Sequence, residues 1–330
     1  LGVRALLLCA GLGERLRPLT SVLAKAAVPL MNRPLASYPL RLLEGRGIRK
    51  VAANLHHLPD TVREALGPGL HYVEEPSILG TGGAVRNLRS WLDGETCVVA
   101  NGDTLAELDL GGALSAHRAS GAQATLLAEA RDPRPEFSAV WTDAEGALAG
   151  FGQEAPAPGA RPLHFAGFHL LERAFLDALP DRKAFCLHRD GYLPFLASGG
   201  RIRVWAGAKD VRDVGTPARY LALHAELLAD PARAARLRGS PLPPERAPGL
   251  FLDAQCRIAA DARLLPPLLL EGVRVETGTT LGPGVVAGPG ASFGPDVHLA
   301  GSVAWAGSAL PTGFSGNGIV VLPSPGGVAP

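Results

Sequence analysis

Apolar and polar positions fall into two textures along this chain. Over residues 3–228, short apolar runs bounded by polar or glycine-rich turns alternate with segments of helical period. The run VRALLLCA, Val3–Ala10, reads as a buried parallel strand. A helix is predicted over about Leu35–Glu44, stopped by Gly45 and Gly47. KVAANL, LHYVEE and TCVVA predict strands, with DTVREAL and GGAVRNLRSWL as helices between them. AQATLLAEA, SAVWTD and RIRVWAG add three more strands. DVGTPARYLALHAELL reads as a strand end entering a helix, with Thr216 as N-cap and Pro217 at the first helical position. Such alternation predicts an α/β domain over residues 1–229, built on a Rossmann-like, mostly parallel sheet with right-handed crossovers. Ligands then gather at the carboxyl ends of the strands. Two loops lie there: the glycine loop after Ala10 and NGDT after TCVVA.

Residues 230–250 carry Pro, Arg and Gly without period and read as a linker. Beyond it the texture changes to a six-residue repeat. Val275, Leu281, Ala287, Phe293, Leu299 and Trp305 share one phase, each followed by Gly or Ala where sequence repeats, and Val285, Ala291, Val297 and Val303 share another. This pattern predicts a left-handed parallel β-helix over 251–322, each hexad forming one face of a triangular coil. The phase slips near Pro266-Pro267. A disordered tail is expected over 323–330.

Composition narrows the class. The chain has 330 residues, 47% hydrophobic and 19% charged, which suits a globular protein with an ample core. A net charge of +1 gives no field for nucleic acid or a membrane surface. Cys9, Cys97, Cys186 and Cys256 form no CxxC pair, so zinc is not expected, and Cys9 and Cys97 read as buried thiols. Val3–Ala10 is too short to span a bilayer and has no cleavage site after it, so a cytoplasmic protein is expected.

The glycine loop reads G-x-G-x-R-L-R-P-L-T from Gly11 to Thr20. The third glycine of a dinucleotide fingerprint is absent, and so is a P-loop. Glycines let amides approach a phosphate, and Arg15 adds a bidentate donor. Lys25, one of four lysines in the chain, offers a point charge nearby. Asp103, after the strand TCVVA, is placed to hold Mg²⁺ opposite a triphosphate, with Asp213 as a second carboxylate. These are the parts for transfer at a nucleotide phosphorus.

The strings LLCAGLGERLRPLT…AKAAVPL, LGTGGAV, NGDT, FAGFHLL and DVGTPARYL, in this order over about residues 3–228, resemble the sugar-1-phosphate nucleotidyltransferases, or NDP-sugar pyrophosphorylases. NLHHLP and LGTGGA resemble mannose- and heptose-1-phosphate guanylyltransferase-like members, many of which carry a C-terminal β-helix. The resemblance implies that Ala10, Gly11 and Gly13 line the nucleotide phosphates, that Arg15 and Lys25 stabilise departing pyrophosphate, and that Asp103 and Asp213 hold Mg²⁺. It also implies that Gly80, Gly82 and Gly83 approach the base and ribose, and that Gly102, Glu154 and Gly167 face the sugar phosphate. Guanine offers donors at N1 and N2, so the acceptor-only carboxylate of Glu75, or that of Glu74, suits GTP better than UTP. Two departures stand out. Ala24 and Ala26 replace the prolines that usually flank the lysine, and no lysine accompanies Glu154, leaving Arg161 or another basic group to take its place. The expected substrates are an NTP and a sugar 1-phosphate, with self-association through the β-helix. The alternatives are a UTP- or dTTP-using enzyme and a non-catalytic subunit that binds nucleotide sugars.

Overall fold

A computed structural model describes residues 2–93, 96–133, 137–323 and 327–329. By its contacts the chain falls into two compact units, one of Leu1–Leu12 with Ala36–Asp213, the other of Gly13–Leu35 with Val214–Pro330. Among the described residues, no helix is long and apolar enough to cross a membrane.

The first unit is an α/β domain on one large sheet. Its order across the main path is His71–Glu74, Val51–Leu55, Arg4–Leu8, Thr96–Asn101, Arg161–Glu172, Ala124–Glu129, Ile202–Asp213, Thr104–Glu107. The first four strands are mutually parallel, with Leu6 opposite Ala52 on one side and Val99 on the other. The inner three read as largely apolar runs because both faces are covered: Ala5, Leu6, Leu7, Val98 and Val99 are buried, whereas the edge strand His71–Glu74 is exposed at both ends. Leu6 and Val99 join Leu126, Leu171, Phe175 and Tyr192 in the core. Each such side chain contributes about 1.5–3 kcal/mol by leaving water.

The sheet departs from the parallel expectation at its centre. Arg161–Glu172 runs antiparallel to both Thr96–Asn101 and Ala124–Glu129. Its register with the latter shifts between Phe165 and Phe168, across Gly167. Ile202–Asp213 continues well past the expected RIRVWAG and pairs antiparallel with Thr104–Glu107, setting Asp213 opposite Thr104. That pairing carries the sheet's far edge to the loop that bears Asp103.

In the second unit, three parallel sheets stack the hexads into a three-faced β-helix. Val275 pairs with Phe293 and Leu281 with Leu299, eighteen residues on, and all four side chains are in its core. An earlier coil, through Arg257–Ile258, Arg263–Leu264 and Leu268–Leu270, joins the stack. Two expected hexad positions are corrected, and one is Val303, which pairs with Val286 and lies outside the β-helix core that holds Val285, Ala291 and Val297. Ala287 pairs with Ala304, seventeen residues on, so Ala304 takes the core place assigned to Trp305. Trp305 is buried outside that core and donates its indole N–H to the Tyr220 hydroxyl at 2.9 Å.

The helix expected after Thr216 is present at Pro217–Ala229, and the Thr216 side chain accepts from the Arg219 N–H. The expected linker holds structure of its own. Asp230 caps a helix at Pro231–Arg238 that ends on left-handed Gly239 and buries Ala234, Leu237 and Arg238. Strands Glu245–Ala247 and Leu250–Leu252 follow. Within the segment expected to be disordered, Val328–Ala329 pairs antiparallel with Val320–Val321, while residues 324–326 and 330 lie outside the described residues.

Candidate active site

The carboxyl ends of the parallel strands open onto loops braced by one buried hydrogen-bond chain. Asn54 accepts from the Cys9 N–H at 2.9 Å and donates to Glu75 Oε1 at 2.8 Å. Glu75 Oε2 accepts from the Leu79 N–H at 3.2 Å. Glu75 is 3% exposed, so the structure places it as a brace between strand ends and not as an acceptor standing open to a base. Glu74, the other candidate, is exposed and paired with Arg63 at 2.5 Å. His56 pairs through Nδ1 with the Glu75 carbonyl, in keeping with a structural role. Burial, with Asp103 nearby, pushes the Cys9 thiol up to about 12, so this cysteine is inert packing.

Asp103, Asp213 and Gly167 line a single cavity of about 270 Å³ in the first unit. The reason is topological: Asp103 directly precedes Thr104, and Thr104 is the register partner of Asp213. Gly167 sits at φ +72°, and a Cβ there would run into Thr104 Oγ1 and stand 3.0 Å from its Cβ. Glycine is therefore required for the central strand to pass the edge that carries both carboxylates. Gly102 is buried below Asp103 against Cys9 and the Leu8 carbonyl.

Sequence reasoning missed the aromatic part of the lining. Phe137, Phe151, Phe165, His164 and His188 also line the cavity, and Arg212 lies beside Asp213. His188 sits on a π-helical turn, Leu187–Tyr192, and stacks on Phe151 at 4.6 Å. Burial lowers its pKa to about 4, so the imidazole is neutral near pH 7. Arg212, paired with Asp210 at 3.1 Å, brings a cation to this cavity. It was visible in RDVGTP next to a singled-out aspartate. The aromatic lining carried no local signal, because its members come from four remote segments.

Other expected residues lie elsewhere. Glu154 is exposed in the turn after Leu148–Gly152 and is not part of the cavity wall. Arg161 is exposed and donates to the Ala144 carbonyl. Gly80 opens a helix, Gly80–Asn87, while Gly82 and Gly83 are buried within it and donate to the Phe185 carbonyl. A Cβ on Gly82 would enter the Phe185 ring and one on Gly83 the Lys183 carbonyl, so both glycines serve helix packing against that segment. Ala10 is buried and Gly11 exposed at the end of the first strand.

Gly13, Arg15 and Lys25 belong to the second unit. Gly13, at φ +64°, accepts from the Thr20 hydroxyl at 2.9 Å, and a Cβ on it would stand 3.1 Å from that of Lys25. The chain here is a succession of short 3-10 turns, Glu14–Leu16, Leu19–Ser21 and Lys25–Ala27. Ala24 and Ala26 are buried, and the Ala27 N–H bonds the Ala24 carbonyl at 2.8 Å. The lysine thus sits on a hydrogen-bonded turn without flanking prolines. Arg15 is exposed and Lys25 half-buried. Among the described residues, no group of three or more His, Cys, Asp or Glu forms a self-contained metal site.

The first unit is thus an α/β sheet with two carboxylates at adjoining strand ends, and the arginine- and lysine-bearing glycine segment belongs to the second unit. A family model for nucleotidyl transferases matches residues 4–229, and the chain belongs to that family. It is 31% identical over 299 residues to a mannose-1-phosphate guanylyltransferase of Mycobacterium tuberculosis, covering 84% of this chain and 83% of that one. It is 32% identical over 145 residues to a D-glycero-alpha-D-manno-heptose 1-phosphate guanylyltransferase of Aneurinibacillus thermoaerophilus, covering 42% and 62%. The fold matches the crystal structure of HddC from Yersinia pseudotuberculosis complexed with GMP-PN, with a TM-score of 0.56 and 20% identity over 68% of this chain and 98% of that one.

Proposed function

We propose that this nucleotidyl transferase moves a nucleoside monophosphate from GTP to a sugar 1-phosphate of the mannose or heptose type, releasing pyrophosphate. The observation that carries the reading is the cavity that Asp103 and Asp213 share, large enough for a sugar ring and lined in part by aromatic rings. A phosphate oxygen of the sugar 1-phosphate attacks the α-phosphorus in line. A new P–O bond forms, the α–β bridging bond breaks, and pyrophosphate leaves with the electron pair. The attacking oxygen is already anionic, so the protein supplies position and charge and no base. Arg15 and Lys25, with the amides at Gly11 and Gly13, hold the triphosphate and the departing pyrophosphate. Arg212 takes the sugar phosphate in place of the lysine that does not accompany Glu154.

Asp103 and Asp213, with no group of three or more ligating side chains among the described residues, fit Mg²⁺, which keeps several waters and completes its shell with substrate phosphates. When bound, the ion supplies charge neutralisation at the phosphates. The thiols, free in this structure, suit a reducing cytoplasm. Self-association through the β-helix would cover exposed apolar residues such as Leu265.

A matrix of four NTPs against mannose-, heptose-, glucose- and N-acetylhexosamine-1-phosphates, read by pyrophosphate release, tests the reading. GTP with a mannose- or heptose-type phosphate should give the highest kcat/KM. Pyrophosphate from no pair would exclude the activity, and a preference for UTP would exclude the base.

A further inference from the structure

The segment Gly13–Leu35 clusters with the carboxyl-terminal third of the chain, although it lies near the start of the sequence. Its outer turn explains why. Pro29–Leu30 and Arg33–Pro34 form a minimal hairpin whose tip, Met31 and Asn32, is left-handed at φ +46° and +60°. Asn32 donates to Glu271 Oε2 at 2.8 Å and to the Ala287 carbonyl at 2.9 Å, on successive coils of the β-helix. Glu271 also takes Arg238 Nη2 at 3.1 Å, and the Arg238 side chain is only 1% exposed. The Pro29 carbonyl accepts from the Tyr220 hydroxyl at 2.5 Å, and that hydroxyl accepts from Trp305 on the next coil. The seventeen-residue coil is what turns Trp305 outward to make this bond.

The geometry points to the β-helix as a positioning element for the phosphate-binding segment: coils bearing Glu271, Ala287 and Trp305 clamp the hairpin that follows Lys25. This rests on the reading that Arg15 and Lys25 hold the nucleotide phosphates. Lys25 lies four residues before Pro29, through the Lys25–Ala27 turn and Val28, so the clamped hairpin limits where its ammonium can go. Tyr220, Trp305, Asn32 and Glu271 are positioning residues under this inference and touch no substrate. Their value to catalysis is that a pre-set donor array need not be ordered when the nucleotide binds.

Tyr220→Phe removes the shared hydroxyl and retains the ring, and Asn32→Gly removes both amide bonds while accepting the left-handed backbone. Each deletes two hydrogen bonds, so kcat/KM for the NTP should fall about fivefold to thirtyfold, with KM for the sugar phosphate unchanged. Amide hydrogen exchange across residues 24–35 should quicken in both variants, while the β-helix core around Leu281 and Leu299 exchanges as in the wild type. Unaltered exchange of the segment together with NTP kinetics within twofold of wild type would overturn the inference. So would a loss confined to the sugar-phosphate KM. If the wild type released no pyrophosphate from any substrate pair, the proposed activity would fail, and the exchange measurement would still decide whether the clamp exists.

Discussion

Gly167→Ala probes the feature on which the cavity depends. The substitution adds one Cβ at φ +72°, where an L side chain costs about 1–2 kcal/mol. The same Cβ meets Thr104, 3.0 Å from its Cβ and 3.2 Å from its Cγ2, with Oγ1 nearer still. Overpacking of this kind costs about 1–3 kcal/mol. Together these terms lower the melting temperature by roughly 5–15 °C for a unit of this size. Activity should suffer more, because Thr104 is bonded in sequence to Asp103 and faces Asp213 across the strand pair. A displacement of about 1 Å in a catalytic group costs on the order of a hundredfold in rate. Thermal melts and pyrophosphate release read the two effects separately. Thr104→Ala in the Gly167→Ala background removes Oγ1 and Cγ2 but keeps Cβ, and should recover most of the overpacking cost but not the backbone strain. A Gly167→Ala protein that melts within 2 °C of wild type (about the effect of a 1 kcal/mol change at most) and turns over normally would refute the steric argument. Absence of any recovery in the double variant would refute the choice of Thr104 as the struck neighbour.

Three further outcomes are expected. Asp103→Asn should lower pyrophosphate release by about a hundredfold or more at an unchanged melting temperature, and near-normal turnover would remove the metal role. Arg212→Met should raise KM for the sugar phosphate by roughly tenfold to a hundredfold and leave the NTP KM alone, as loss of a charge-assisted pair requires. An equal rise in both constants would count against that assignment. Burial lowers the pKa of His188 to about 4 and of His224 to about 3, and holds that of His169 well below 6.5. These groups stay neutral in the folded chain and protonate near 6.5 when unfolded, so their contribution to stability is complete above pH 6.5. It declines by up to about 1.4 kcal/mol per pH unit for each histidine as pH falls towards the folded values. Urea unfolding at pH 7 and pH 5 measures this, and equal stabilities at the two would contradict the buried, neutral assignment.

The parts of the fold that could be read from the chain are those encoded locally. Apolar runs such as ALLL and CVVA are long enough to name buried strands, and Thr216-Pro217 carries its helix start in two residues. The hexads survive because each coil repeats the same inward demand. What escaped was non-local or mixed in signal. Arg161–Glu172 is interrupted at Gly167 and runs against its neighbours, which alternation alone does not reveal. The helix Pro231–Arg238 has a cap, a first-turn proline and a closing glycine, yet its arginine-rich run lacks an apolar stripe of helical period. Trp305 kept the hexad phase on paper, and one residue fewer in the coil moved it outside. At the site, Asp103, Asp213 and Gly167 were legible as motif residues and share one cavity, whereas Glu75 looked open because sequence does not show that Asn54 and Leu79 reach it.

The clamp on Asn32 also sets an order of events during synthesis. The hairpin Pro29–Pro34 is translated well before the residues that hold it, Tyr220, Glu271 and Trp305. A nascent chain can therefore complete its central sheet while the hairpin is still unheld. The hairpin is held only once the coils that carry Glu271, Ala287 and Trp305 have been made.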